Sequence, residues 1–90
     1  MNSLTASEFL VLDELYFVSS YHEILERITM DEPLFRSALT GLLEKGFIVQ
    51  MKYDDDHNDF EKLEQPDLTS LERSSFVATR EGLLIHNSRN

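Results

Sequence analysis

Leu39-Thr40-Gly41-Leu42-Leu43-Glu44-Lys45-Gly46-Phe47-Ile48-Val49-Gln50-Met51 is the stretch whose reading decides the fold. Leu39, Leu42 and Leu43 recur at helical spacing, and Gly46 follows as a C-terminal stop, because glycine enters the left-handed conformation without a Cβ penalty. Beyond the glycine the period changes from 3.6 to 2. Phe47, Val49, Met51 and Tyr53 share one face and Gln50 and Lys52 the other, which predicts a strand entered directly from the helix.

Working outward towards the N-terminus, Leu34, Phe35 and Ala38 extend the helix back to Thr29-Met30-Asp31-Glu32-Pro33. That segment reads as a turn and a helix start, with acidic residues at the positive end of the dipole and proline in the first turn. Ser20-x-x-Glu23 has the capping-box form and opens a shorter helix carrying Ile24, Leu25 and Ile28. Thr5-Ala6-Ser7-Glu8 repeats that form before Phe9 to Val18, a helix apolar on three sides: Phe9, Leu12 and Tyr16; Leu10 and Phe17; Val11, Leu15 and Val18. Towards the C-terminus, residues 54–74 are polar and acidic and contain Pro66, so they are expected as one long loop. Ser75-Phe76-Val77-Ala78 is a second strand, and Thr79-Arg80-Glu81-Gly82 leads into Leu83-Leu84-Ile85. The expected fold class is α+β: a three-helix bundle, a two-stranded hairpin and a short C-terminal helix, with residues 1–90 as a single domain.

That order resembles the winged helix-turn-helix superfamily of MarR-like and PadR-like regulators. The residues that carry the resemblance are Leu39-x-x-Leu42-Leu43-Glu44-Lys45-Gly46-Phe47-Ile48 followed by Phe76-x-Ala78-Thr79-x-x-Gly82, and it covers roughly residues 5 to 86. The resemblance implies that residues 31–44 form the recognition helix, with Leu34, Arg36, Ser37, Thr40 and Gly41 outward, and that residues 54–74 form the loop of the wing.

The charge departs from that pattern. The chain has 17 acidic and 8 basic side chains, a net charge of −9. Non-specific affinity for nucleic acid comes largely from Lys and Arg neutralising phosphate, so this field opposes it. On the expected recognition face only Arg36 is basic, where a DNA reader places Arg, Lys, Asn or Gln. The expected wing carries Asp54, Asp55, Asp56, Asp59, Glu61, Glu64, Asp67 and Glu72 against Lys62 and Arg73.

The chemistry of other function classes is missing from the sequence. Asp54, Asp56 and Asn58 match the opening of a calcium loop, but position six is Asp59 instead of Gly and position twelve is Gln65 instead of Glu, so a solvated turn is expected. His22, His57 and His86 lack metal-ligand spacing and are expected at the surface or an edge. With no cysteine and 3 glycines, neither a thiolate zinc site nor a phosphate-cradling loop is expected. No catalytic motif, metal or cofactor is expected. No secretory signal is expected, no apolar run has the length needed to span a bilayer, and the lack of cysteine fits a cytoplasmic location.

These readings predict a non-enzymatic winged-helix protein that works by protein–protein contact, with Arg36, Ser37 and Thr40 marking the exposed face of the third helix and the acidic wing as docking surface. The alternative is a DNA-binding transcriptional regulator using Arg36, Thr40, Lys45, Lys52 and Arg73; an acidic mimic of nucleic acid is a third reading. The first helix has two explanations. It is either covered within a small core, or Val11, Leu15 and Val18 join Leu83, Leu84 and Ile85 in a homodimer interface, as first and last elements do in many winged-helix regulators.

Overall fold

A computed structural model describes residues 3–88. Its elements are α1 (Ala6–Leu12), β1 (Ser19–Ser20), α2 (Tyr21–Arg27), α3 (Glu32–Glu44), β2 (Ile48–Asp54), β3 (Asp59–Lys62), a 3-10 segment (Leu68–Arg73), β4 (Ser75–Ala78) and α4 (Arg80–Asn87). The strands form one antiparallel sheet in the order β1-β4-β2-β3. The architecture is α+β.

Both capping boxes are made. The Thr5 hydroxyl accepts the Glu8 N–H at 3.1 Å while the Glu8 carboxylate accepts the Thr5 N–H at 3.0 Å. Ser20 and Glu23 repeat the exchange at the start of α2. Each box satisfies two of the donors that a helix start leaves without a partner.

Helix α1 is shorter than its apolar pattern predicts. It ends at Leu12, and the Glu14 and Leu15 N–H groups then donate to Val11 and Leu12 in a tightened turn. The chain is drawn into the sheet instead: the Leu15 carbonyl accepts the Ala78 N–H at 2.8 Å, and Ser19 and Ser20 pair with Phe76 and Ser75. Val11, Leu12 and Leu15 are fully buried, whereas Phe17 is 83% exposed. Apolar character around the whole segment therefore does not mean cover on every side.

The two faces of β2 are the reverse of what hydrophobic alternation suggests. Ile48 and Gln50 point into the core, while Val49 and Met51 are half-buried and Tyr53 is exposed. Gln50 is tolerated there because its polar atoms are met. Its Nε2 donates to the Asp67 carbonyl at 3.0 Å and to Ser74 Oγ at 2.8 Å, and its Oε1 accepts the Asp67 N–H at 2.8 Å. The Ser74 hydroxyl in turn donates to the Ser70 carbonyl at 2.8 Å.

That network also holds the segment expected as one long loop over residues 54–74. It is ordered as the end of β2, a tight turn, β3 and the 3-10 segment. The turn is closed by Asn58 in the left-handed region at φ 55°, a conformation asparagine tolerates better than most residues. Leu71, fully buried, anchors the return beneath the sheet.

The end of α3 and the start of α4 interlock. Gly46 has φ 76°, and the Gly46 and Phe47 N–H groups donate to Leu43 and Leu42, closing the helix in a Schellman arrangement. The two carbonyls that follow are taken by one residue: Thr79 donates its hydroxyl to the Gly46 carbonyl at 2.8 Å and its N–H to the Phe47 carbonyl at 2.9 Å. The same hydroxyl accepts the Gly82 N–H and so caps α4. Gly82 lies so close that a Cβ there would sit 2.0 Å from the Phe47 carbonyl oxygen.

These two glycines make different demands. Gly82→Ala drives a methyl into backbone and is expected to cost about 3 kcal/mol. Gly46→Ala meets open space and pays only for a left-handed φ, about 1 kcal/mol. Urea unfolding midpoints at constant m-value check the order, and equal losses would refute this account of the junction.

Candidate functional site

The exposed side of α3 was the expected recognition face. Ser37 and Leu34 are exposed there, and Arg36 and Thr40 are half-buried. Gly41 does not face outward: a Cβ on it would lie 2.1 Å from Glu8 Oε2, so the buried Glu8 side chain lies across it. The Thr40 hydroxyl donates back to the Arg36 carbonyl at 2.9 Å. Arg36 Nη1 pairs with Glu72 Oε1 and donates to the Tyr21 hydroxyl, both at 3.4 Å, and its guanidinium lies 5.9 Å from the centre of the Tyr21 ring. Burial, reinforced by a hydrogen bond to Glu32, pushes the Tyr21 phenol above its ordinary pKa, so it stays protonated and donates to Glu32 at 2.6 Å.

Two of the other cations considered for DNA contact, Lys45 and Lys52, are similarly engaged, whereas Arg73 is exposed. Lys45 Nζ lies 2.6 Å from Glu8 Oε1 and donates to the Ser3 carbonyl at 2.9 Å. Lys52 pairs with Asp67 at 3.4 Å. Arg27, at 3.8 Å from Glu14, also donates to Ser19 Oγ. Lys62, Arg73 and Arg80 are exposed. Arg89 lies outside the described residues. The solvent-exposed pairs among these contribute little to stability, unlike the pair of Lys45 with the buried Glu8, but each sets a carboxylate beside a charge that a phosphate would otherwise meet.

The acidic residues of the hairpin are presented to solvent. Asp55, Asp56, Asp59, Glu61 and Glu64 are exposed, and Asp54 is half-buried. Asp54 is held within its own turn. Its carboxylate accepts the Asp56 N–H at 3.0 Å and lies 2.6 Å from His57 Nδ1, and the His57 contact, ahead of the backbone ones, holds its carboxyl below the usual range. The Tyr53 hydroxyl donates to Asn58 Oδ1 across the turn. Tyr53 also meets Phe60 edge-on, ring centres 5.4 Å apart, with both rings exposed. Of the apolar residues of this segment, Leu71 is an anchor and Leu63 is half-buried, while Phe60 and Leu68 remain exposed.

The predicted interface set is divided by the structure. Val11 and Leu15 are 0% exposed and belong to the core, so they present no face to a second subunit. Val18 is exposed next to β1. Leu84, 60% exposed, and half-buried Ile85 line an open recess of about 430 Å3 with Phe47, rimmed by Lys45, Glu81 and Ser88. Leu83 is half-buried on the same helix.

His86 was expected at the surface or an edge, and it lies at an edge, half-buried. Its side chain is 10% exposed and stacked on Phe9 at 4.4 Å, with Nδ1 2.7 Å from the Tyr16 hydroxyl. Its Nε2 lies 3.1 Å from Asp13 Oδ1 but out of line for a hydrogen bond. Its distance in sequence from Phe9, Asp13 and Tyr16 hid this grouping. Among the described residues, no group of three or more His, Cys, Asp or Glu side chains is placed to hold a metal ion, and no helix is long and apolar enough to cross a membrane.

No known protein family, curated protein or solved structure matches the chain.

Asp67 gives the surface a measurable acid response. Its carboxylate accepts the Thr69 hydroxyl at 2.6 Å and the Thr69 N–H at 3.1 Å. Those bonds and one from Ser70, with Lys52 adding to them, lower its pKa from 3.8 to about 2. A folded-state value below the unfolded one means that the stabilisation is complete above the unfolded pKa and is lost as pH falls towards the folded value. Stability of the wild type is therefore expected to drop between about pH 4 and pH 2 more steeply than that of Asp67→Asn. Urea midpoints across that range check it, and parallel curves would refute it.

Proposed function

We propose that this chain is a non-enzymatic winged-helix module that acts by docking on another protein. The winged-helix reading is supported by the element order and by the junction itself, since Gly46-Phe47 and Thr79-x-x-Gly82, the two motifs behind the resemblance, touch each other. Function does not follow from such a scaffold; it follows here from charge. The carrying observation is that Arg36, Lys45 and Lys52 are each held by a carboxylate, Glu72, Glu8 and Asp67 respectively. A duplex would have to break those pairs and approach an acidic hairpin at a net charge of −9. The docking surface is that hairpin, and its sign selects a basic partner surface.

The readout is an electrophoretic shift with random duplex DNA at low salt. No complex is expected up to about 100 µM protein. A complex that forms readily and weakens steeply as salt rises would replace this reading with a DNA-binding regulator.

Self-association belongs to the same proposal, with its face corrected. The exposed Leu84 and the recess over Phe47 and Ile85 take the place of Val11 and Leu15. Sedimentation equilibrium is expected to give a dimer that Leu84→Glu converts to a folded monomer; a monomeric wild type removes the dimer and leaves the docking proposal standing.

A further inference from the structure

The sheet has an open edge at β3, which pairs with β2 on one side and with no strand on the other among the described residues. The phase of the ladder determines which main-chain groups are left over. The Leu63 N–H donates to the Gln50 carbonyl at 2.9 Å. In an antiparallel pair bonded and non-bonded positions alternate, so Lys52/Glu61 and Asp54/Asp59 are the hydrogen-bonded pairs of this register and Met51/Lys62 and Tyr53/Phe60 are not. The N–H and carbonyl groups of Phe60 and Lys62 consequently point away from the sheet.

Side chains along β3 alternate in chemistry as well as direction. Phe60 lies on one face against Tyr53, while Asp59 and Glu61 lie on the other. A second copy of β3 would bring these carboxylates against their own kind, so the edge is repelled from self-pairing. The Asp59 carboxylate also accepts the Phe60 N–H at 2.7 Å and closes that donor to an incoming strand. A cation arriving opposite Asp59 draws the carboxylate to itself and frees the Phe60 N–H for the incoming carbonyl. A neutral strand leaves the donor covered.

We propose that β3 is a strand-addition site for an extended cationic segment of another protein, with Lys or Arg at alternate positions facing Asp59 and Glu61 and an apolar residue facing Phe60. Main-chain hydrogen bonds supply the attachment and the alternation supplies the selectivity. The inference rests on the docking reading and specifies its partner.

The test uses the whole chain, isotope-labelled, and a capped hexapeptide of alternating lysine and valine. Its controls are a peptide of identical composition with the lysines in one block and an alternating peptide with N-methylated backbone. The alternating peptide is expected to slow amide exchange at Phe60 and Lys62 by about tenfold at saturation, with neither control doing so. Lys62→Pro removes an outward N–H without touching the bonds to β2, and is expected to abolish the protection at Phe60 while circular dichroism stays unchanged. If that variant unfolds, the N-methylated peptide decides the point. No binding of the alternating peptide at low salt overturns the proposal. So do equal affinities for the alternating and block peptides with exchange at Phe60 and Lys62 unaltered, in which case contact is by charge alone and docking survives without strand addition. Failure of every peptide together with salt-sensitive duplex binding defeats both readings.

Discussion

The backbone carbonyls of Gly46 and Phe47 are where the two halves of the chain are joined. They emerge from the end of α3 just as its hydrogen-bond ladder stops, and without a partner they would be costly to cover. Thr79 meets both with its hydroxyl and N–H, and Gly82 lets α4 come down on the Phe47 carbonyl without a Cβ in the way. One residue thus meets the chain where it leaves α3, continues a strand pair and starts another helix. The register of β2 on β4, with Ile48 opposite Ala78, begins at that contact, and the position of every strand farther along the sheet follows from it.

Two buried polar side chains complete the framework, and each joins distant segments. Glu8 is buried at the start of α1, yet it caps its own helix, crosses Gly41 and receives Lys45 from the end of α3. A buried carboxylate holds such a place only when paired and hydrogen-bonded. Gln50 does the same for the return of the hairpin, tying Asp67 and Ser74 to the middle of β2. Both use a polar group to set position and leave the apolar core to supply the bulk of the driving force.

Helix starts and the α3–β2 junction were legible in the sequence because they depend on neighbouring residues: hydroxyl–glutamate capping boxes, a glycine stop, a change of period. What escaped was set by residues far apart. The length of α1 could not be read from its apolar pattern, because its end is decided by Ala78 and Phe76 competing for the backbone near Leu15 and Ser19. Gln50 looked like a solvent-facing residue because its partners lie 17 and 24 positions away. The sign of the candidate surface was visible in composition, whereas the engagement of Arg36, Lys45 and Lys52 with particular carboxylates required the fold. Asp67 followed two positions later by Thr69 is a local turn signal that marks the 3-10 segment within what otherwise looked like loop.

The Gln50 network also separates the hairpin into two mechanical parts. Below it, Asp67, Ser70 and Ser74 are tied to the middle of β2; above it, residues 59–62 pair with β2 alone. Changes of length or composition in that outer part reach the rest of the protein through the two paired strands of the hairpin, which meet the Gln50 network at their base. The tip is thus a part that can be exchanged by grafting while the scaffold beneath is retained.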